Sequence, residues 1–300
     1  MSVLVVGSVA LDTVETPFGK VDDALGGSAT YFSAAACHFT DVNVVAVVGE
    51  DFPFSKIDFL KDRGVNFDGL IQKPGKTFRW GGKYHLDLNQ RDTLFTHLNV
   101  FEQFDPVLPE HYREIPYIFL ANIHPQLQLK VLEQIKKPQL VVMDTMNFWI
   151  EGTPESLKQV LKKINILIIN DSEVRLLSGE TNLFLGIKKL LQLGPQMLVI
   201  KKGEHGAFLF NNHAYFWTPA YPLEQLFDPT GAGDSFAGGF VGYLAKTGYV
   251  CDKNLRKGVV YGSILGSFCV EKFSLDRLRE IELEDIEQRY QQFVRMTKIE

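Results

Sequence analysis

The chain is poor in cysteine. Cys37, Cys251 and Cys269 are its only three in 300 residues, and they are far apart. A disulfide framework needs more thiols at closer spacing, so a stapled secreted scaffold is excluded. No Cys-x-x-Cys or His-Glu-x-x-His occurs, which removes the common zinc sites. The three thiols fall within apolar helical patterns and read as buried and reduced.

Basic runs are missing as well. Lys and Arg total 31 against 36 Asp and Glu, for a net charge of −5. Nucleic acids and anionic membranes call for a basic patch, so neither is an expected partner. No apolar run approaches the ~18 residues of a membrane span. Residues 1–7 lack a basic segment and a long apolar core, and they read as a strand rather than a leader. The expectation is a cytoplasmic protein. Internal repeats, low-complexity segments and long linkers are absent. Hydrophobic residues make up 45%, enough for a sizeable core.

Two nucleotide signatures also fail. Gly75-Lys76-Thr77 ends like a phosphate-binding loop, but that loop requires glycine where Leu70 stands. Pro74 removes an amide just where phosphate would need one. Gly231-x-Gly233 lacks the third glycine of a dinucleotide fingerprint, because Phe236 occupies that position. A nicotinamide enzyme is therefore disfavoured.

What the chain does have is alternation. Short apolar runs at 3–6, 44–48, 117–120, 140–143, 166–169, 197–200 and 207–210 suit strands buried on both faces. Helical patterns lie between them, at 28–39, 53–63, 126–135, 154–163, 171–178 and 183–193. Three more follow, at 234–246, 254–270 and 284–296. Such alternation predicts an open, doubly wound, mainly parallel sheet. Residues 76–99 break the pattern. Tyr84, Leu86 and Leu88 alternate with His85, Asp87 and Asn89, and Gly81-Gly82 suits a tight hairpin. An antiparallel insertion of this kind is expected to form a lid with residues 12–25. Arg79, Lys83, Arg91 and Asp92 are its candidate substrate contacts, near Trp80 and Phe95.

The chemistry is densest at Asp228-Pro229-Thr230-Gly231-Ala232-Gly233-Asp234. Phe236, Phe240, Val241 and Leu244 follow at helical spacing. Gly231 to Gly233 read as a loop feeding a helix that begins near Asp234. First-turn amides and the helix dipole can hold an anion there. Asp234 has two readings, a helix cap and an acceptor for the proton of an attacking hydroxyl. An anion site beside a base points toward phosphoryl transfer.

Other motifs carry paired readings too. Asp12 lies beyond the first strand, where open α/β sheets place ligands. It can grip vicinal hydroxyls or close a turn. Gly26-Gly27 can present amides to a substrate or make the turn into the helix that carries Tyr31. Asn170 and Glu173 fit an N-cap pair, and also residues that hold hydrated Mg²⁺ near ATP phosphates. In Lys201-Lys202-Gly203-Glu204-His205-Gly206, Gly203 is preferred over either lysine as a neighbour of nucleotide. Asp144 ends a strand and can serve a phosphate-bound metal indirectly or cap a turn. His85, His97, His124 and His205 show no ligand spacing.

The run from Asp228 to Phe240 resembles the C-terminal signature of the PfkB (ribokinase-like) carbohydrate and nucleoside kinases. Gly26-Gly27 resembles that family's N-terminal motif, with Tyr31 where the family has Asn. Asp12, the lid, Asn170-x-x-Glu173 and Gly203-x-x-Gly206 follow in the family's order, so the resemblance covers nearly the whole chain. It implies one ribokinase-like α/β domain, residues 1–300, with a small antiparallel β lid from 12–25 and 76–99. It also implies an ATP- and Mg²⁺-dependent kinase. Asp234 would be the base, and Gly231, Ala232 and Gly233 the anion hole. Asp12, Gly26, Gly27, Tyr31, Arg79 and Arg91 would surround the acceptor. Asn170, Glu173, Gly203, Gly231 and Gly233 would border the nucleotide. Asp228 and Thr230 are candidate contributors to a K⁺ site, and lids of this family in several cases mediate homodimers. Many members carry an Arg shortly after the residue matching Asp144, and that Arg is missing here. The expected acceptor is a carbohydrate alcohol. A nucleoside is the alternative, favoured by Tyr31 and the aromatic lid. A non-catalytic binder on the same fold is the alternative of another class.

Overall fold

The computed structural model describes residues 1–211 and 214–298. Thirteen strands form two sheets among these residues. The main sheet contains β1 (Val3–Val6), β4 (Val42–Gly49), β5 (Val65–Lys73), β8 (Tyr117–Leu120), β9 (Leu140–Asp144) and β10 (Ile166–Asn170). It is completed by β11 (Met197–Lys201), β12 (Ala207–Asn211) and β13 (Tyr215–Thr218), and its order is β13-β12-β11-β10-β9-β8-β1-β4-β5. All neighbours pair in parallel except β11-β12 and β12-β13. The second sheet has four strands: β2 (Ala10–Thr16), β3 (Gly19–Gly26), β6 (Arg79–Tyr84) and β7 (Arg91–His97). Its outer pairs are antiparallel, and the central β2-β6 pair is parallel.

Successive residues of a strand point to opposite faces, and the core divides accordingly. Val3 and Val5 pack on one side of the main sheet with α1 (Ser28–Ala36), and Leu4 and Val6 pack on the other. The second side is covered by α3 (Pro125–Gln134), α4 (Asn147–Gly152), α5 (Pro154–Leu161), α6 (Asp171–Ser178) and α7 (Leu183–Leu191). The first side also carries α2 (Asp58–Asp62), α8 (Ala232–Thr247), α9 (Asp252–Cys269), α10 (Asp276–Glu280) and α11 (Leu283–Thr297). This is the doubly wound arrangement that the alternation predicts. Strand order runs outward in opposite directions from β1 and β8, so the switch point lies between them. Ligands of such sheets bind beyond the strands' carboxyl ends at that point.

Two expectations for the lid are corrected. Gly81 and Gly82 lie inside β6 and make no hairpin. The turn lies between β6 and β7, where the Asp87 carboxylate accepts from the Asn89 amide at 3.0 Å and from the Gln90 side chain at 3.0 Å. Leu86 is 89% exposed, so the apolar alternation there does not mark a buried strand. The pattern at 53–63 also divides, into a 3₁₀ turn at Phe54–Ile57 and the short α2.

Candidate active site

At the carboxyl edge of the main sheet, α8 begins at Ala232, two residues before Asp234. Gly231 is its N-cap, with φ 76°. That left-handed conformation favours glycine. A side chain is also excluded sterically, since a Cβ on Gly231 would lie 2.3 Å from the Tyr31 ring. The Ser235 amide closes the first helical turn onto the Gly231 carbonyl at 2.8 Å. Ala232 corrects an expectation, because its amide donates to the Pro229 carbonyl at 3.2 Å and is spent within the turn. Among the described residues, no backbone acceptor takes the amides of Gly231, Gly233 or Asp234. These three remain for an anion.

Asp234 lies deep beside this loop but keeps part of its surface open to solvent. Burial and the nearby Asp144 push its carboxyl up to about 8, against the opposing pull of Lys201. Lys201, ranked below Gly203 on the sequence, sits at the centre of the charge cluster. Its Nζ donates to Asp144 Oδ2 at 2.9 Å, with side-chain exposures of 19% and 6%. Burial works against the ammonium, but Asp144, Glu173 and Asp234 outweigh it and raise its pKa above the ordinary lysine value. A Cβ on Gly233 would lie 2.9 Å from the same Nζ. In the sequence Lys201 only follows an apolar run, as Asn170 does; folding makes the two register partners.

Asn170 and Glu173 form a reciprocal capping box on α6. Asn170 Oδ1 accepts from the Glu173 amide at 2.8 Å, and Glu173 Oε2 accepts from the Asn170 amide at 2.9 Å. Burial pushes the Glu173 carboxyl up to about 7, Lys201 opposes this, and Asp144 adds to it. Gly203, at φ 53°, belongs to the turn after β11 and lies beside the lid, where its Cβ would meet Asn89 Oδ1 at 2.8 Å.

The acceptor end is built from β2 and the lid. Asp12 is 5% exposed, and its carboxylate occupies the space a Cβ on Gly26 would fill, 2.0 Å from Oδ2. Burial and Asp228 push its carboxyl up to about 7, while a hydrogen bond from the Gly27 amide and the charge of Arg91 pull it down. Asp12 pairs with Trp80, and Tyr84 with Arg91, which places all four on one face of the lid sheet. The Arg91 guanidinium lies 4.9 Å from the Trp80 ring centroid. The Tyr84 hydroxyl accepts from Thr230 Oγ1 at 3.1 Å, so the lid touches the anion loop.

Arg79 is not brought to this cluster. It pairs with Leu11 on the opposite face and makes ion pairs with Asp23 and, at 2.9 Å, with Asp51. Lys83 likewise pairs with Glu15, and Asp92 with His85 at 2.9 Å. The lid residues that face Asp12 are Trp80, Tyr84 and Arg91, and the sequence singled out only Arg91 as a contact.

The two residues expected to contribute to a K⁺ site, Asp228 and Thr230, are bonded to the protein's own groups. Asp228 Oδ1 accepts from the Thr230 amide at 2.8 Å and Oδ2 from the Ser274 amide at 3.0 Å. Each carboxylate oxygen already faces the positive end of an amide. The Thr230 hydroxyl is turned to Tyr84.

The carboxyl-edge location, the unpaired amides at the start of α8 and the buried acid beside them define a phosphotransferase-type cleft. A model of the pfkB family of carbohydrate kinases matches residues 2–280, and the chain belongs to that family. The cytidine kinase of Thermococcus kodakarensis is 28% identical over 247 residues, covering 80% of this chain and 87% of that protein. The nucleoside kinase of Methanocaldococcus jannaschii is 26% identical over 281 residues, covering 89% of each. An E. coli structure in complex with ATP and Mg²⁺ superposes with a TM-score of 0.80 at 19% identity, covering 97% of this chain and 99% of the other. The fold is ribokinase-like, and the chain is a sugar or nucleoside kinase of that family.

Proposed function

We propose that the chain transfers the terminal phosphoryl group of ATP to an alcohol of a nucleoside. The observation that carries this reading is the position of Asp234, in the first turn of α8 beside three unpaired amides and close enough to Asp12 for their charges to interact. Trp80, with Arg91 over its ring, offers a face for a base beside Asp12. The named relatives act on cytidine and nucleosides. A free sugar is the second reading, because Asp12 can grip vicinal hydroxyls in either substrate.

In the working step, Asp234 takes the proton of the attacking hydroxyl. The raised pKa makes it a stronger base than an ordinary carboxylate. Amides of Gly231, Gly233 and Asp234 receive the charge on the transferred group, and such preorganised donors usually supply the largest part of catalysis. Tyr84 and Arg91 hold the lid over the acceptor, and closure excludes water as a competing acceptor. Asn170 and Glu173 are the residues that would hold hydrated Mg²⁺. The fit rests on buried carboxylate charge at this point, and on capping bonds at Asn170 and Glu173 that favour contact through water. When bound, the ion would neutralise phosphate charge.

The test is ADP release against a panel of nucleosides and sugars. Release that depends on a nucleoside supports the reading, and a response to free sugars alone would replace it with the second. No acceptor-dependent release with any member would point to a binder without turnover.

A further inference from the structure

Lys201 is unused in the step above, yet three observations converge on it. Its ammonium lies against Gly233, within the loop whose amides are unpaired. The buried Asp144 fixes it there at 2.9 Å. Its strand end lies beside that of β10, with Lys201 paired to Asn170 at the sheet's carboxyl edge, where ligands of such sheets bind. Lys202 supplies no substitute, since its ammonium lies 5.7 Å over the Phe208 ring.

We infer that Lys201 is a catalytic residue whose Nζ donates to a non-bridging oxygen of the phosphoryl group in flight, with Asp144 as its positioning residue. The inference rests on the kinase reading. In the step, the bond from the γ-phosphorus to the β–γ bridging oxygen breaks, and the bond to the acceptor oxygen forms. ADP leaves with the bridging electron pair, and the hydroxyl proton goes to Asp234. Negative charge spreads over the oxygens of the transferred group. A buried ammonium held ready needs little reorganisation to meet it. Asp144 holds that ammonium in place through its hydrogen bond at 2.9 Å.

The experiment compares wild type with K201M, K201R and D144N in steady-state assays on the best acceptor found. Binding of ADP and of a non-hydrolysable ATP analogue is measured alongside by calorimetry. Losing one such donor typically costs ~10²–10³ in kcat. K201M should lose that much while its KM for the acceptor stays near wild type. K201R should recover part of the loss, and D144N should fall between wild type and K201M. The preference of wild type for the ATP analogue over ADP should shrink in K201M. Wild-type kcat in K201M, or an unchanged preference, overturns the inference and leaves the kinase reading intact. If wild type itself transfers no phosphate, the kinase reading fails instead. Should K201M not fold, the neutral pair K201M/D144N removes the unpaired buried carboxylate and carries the same test.

Discussion

The ring of Tyr31 lies directly against the backbone of Gly231, so close that a Cβ there would come within 2.3 Å of it. Tyr31 is 2% exposed and stands on α1, one turn after the Gly26-Gly27 turn that receives Asp12. Gly231 caps α8 and opens the anion loop. One contact therefore joins the acceptor end of the cleft to its phosphate end. In Gly231→Ala the new methyl must displace the ring, and the residue must hold φ 76°. Left-handed backbone costs roughly 1–2 kcal/mol for an L-residue, and overpacking a tight core adds roughly 1–3 kcal/mol. The variant should melt at a clearly lower temperature and lose most of its turnover. Near-normal kcat in a folded G231A protein would show that the loop tolerates displacement.

Asp234→Asn tests the base. Removing a general base commonly lowers the rate ~10²–10⁴-fold. The raised carboxyl also predicts a pH profile. Asp234 must be ionised to accept a proton, so free-enzyme kcat/KM should rise with pH through about 8. Stability runs the other way. The folded pKa lies above the ordinary value of 3.8, so the native state binds more protons than the unfolded chain between 3.8 and about 8. The contribution of Asp234 to stability is thus fully present below 3.8 and lost as pH rises through 8. Asp12 acts in the same sense up to about 7. Thermal melts from pH 5 to 9 should show wild type losing more stability than D234N. Parallel curves would contradict the burial of this charge.

Much of this was legible in the sequence. Strands buried on both faces appear as continuous apolar runs, and β1 and β8 have the ends those runs predict. Edge strand β5 was missed because one of its faces is partly exposed and Asp68-Gly69 interrupts its pattern. Asn170, Glu173 and Asp234 lie at the strand end and helix starts that their sequence contexts predict, while Asp12, read as lying beyond the first strand, falls within β2. Lid residues were not sorted correctly, because their roles depend on facing. Arg79 and Trp80 are adjacent in the chain and point to opposite sides of one strand. Arg91 reaches the Trp80 face only because a register shift lies between Gly81 and Gly82. A hairpin placed at those two glycines gives the wrong facing. Lys201 needed three-dimensional information of another kind, since only folding brings the ends of β9, β10 and β11 together beneath α8.

Trp80→Ala tests the base-stacking face. Stacking of a base on an aromatic ring is worth roughly 1–3 kcal/mol by alanine substitution. KM for a nucleoside should rise accordingly, roughly 5- to 150-fold, with little change in KM for ATP. Arg91→Ala should act in the same direction, since it removes the cation above that ring. Equal effects on a nucleoside and on free ribose would argue against stacking and favour the sugar reading.

The Tyr84–Thr230 contact predicts how lid and loop are coupled. Tyr84→Phe keeps the ring and deletes the acceptor for Thr230 Oγ1. A hydrogen bond of this type contributes about 0.5–1.5 kcal/mol, so the fold should survive. The closed lid should be less populated, and water should reach the phosphoryl group more often. The expected signature is a lower kcat together with more acceptor-independent ADP release. Coupled assays of ADP and phosphorylated product, run side by side, measure the ratio directly. A ratio equal to wild type would mean that closure does not depend on this bond.

Asp228 leads to a prediction about monovalent ions. Its two carboxylate oxygens accept from the amides of Thr230 and Ser274, and the Ser274 hydroxyl also donates to the Leu25 carbonyl at 2.5 Å. Ser274 holds φ 56°, an uncommon conformation for a non-glycine residue, kept by these two bonds. The protein thus ties the anion loop to the start of the Gly26-Gly27 turn with its own groups. Turnover at fixed ionic strength should be the same in K⁺, Na⁺ and choline chloride within assay error. Strong, selective activation by K⁺ would mean that an ion joins this tie in the working enzyme.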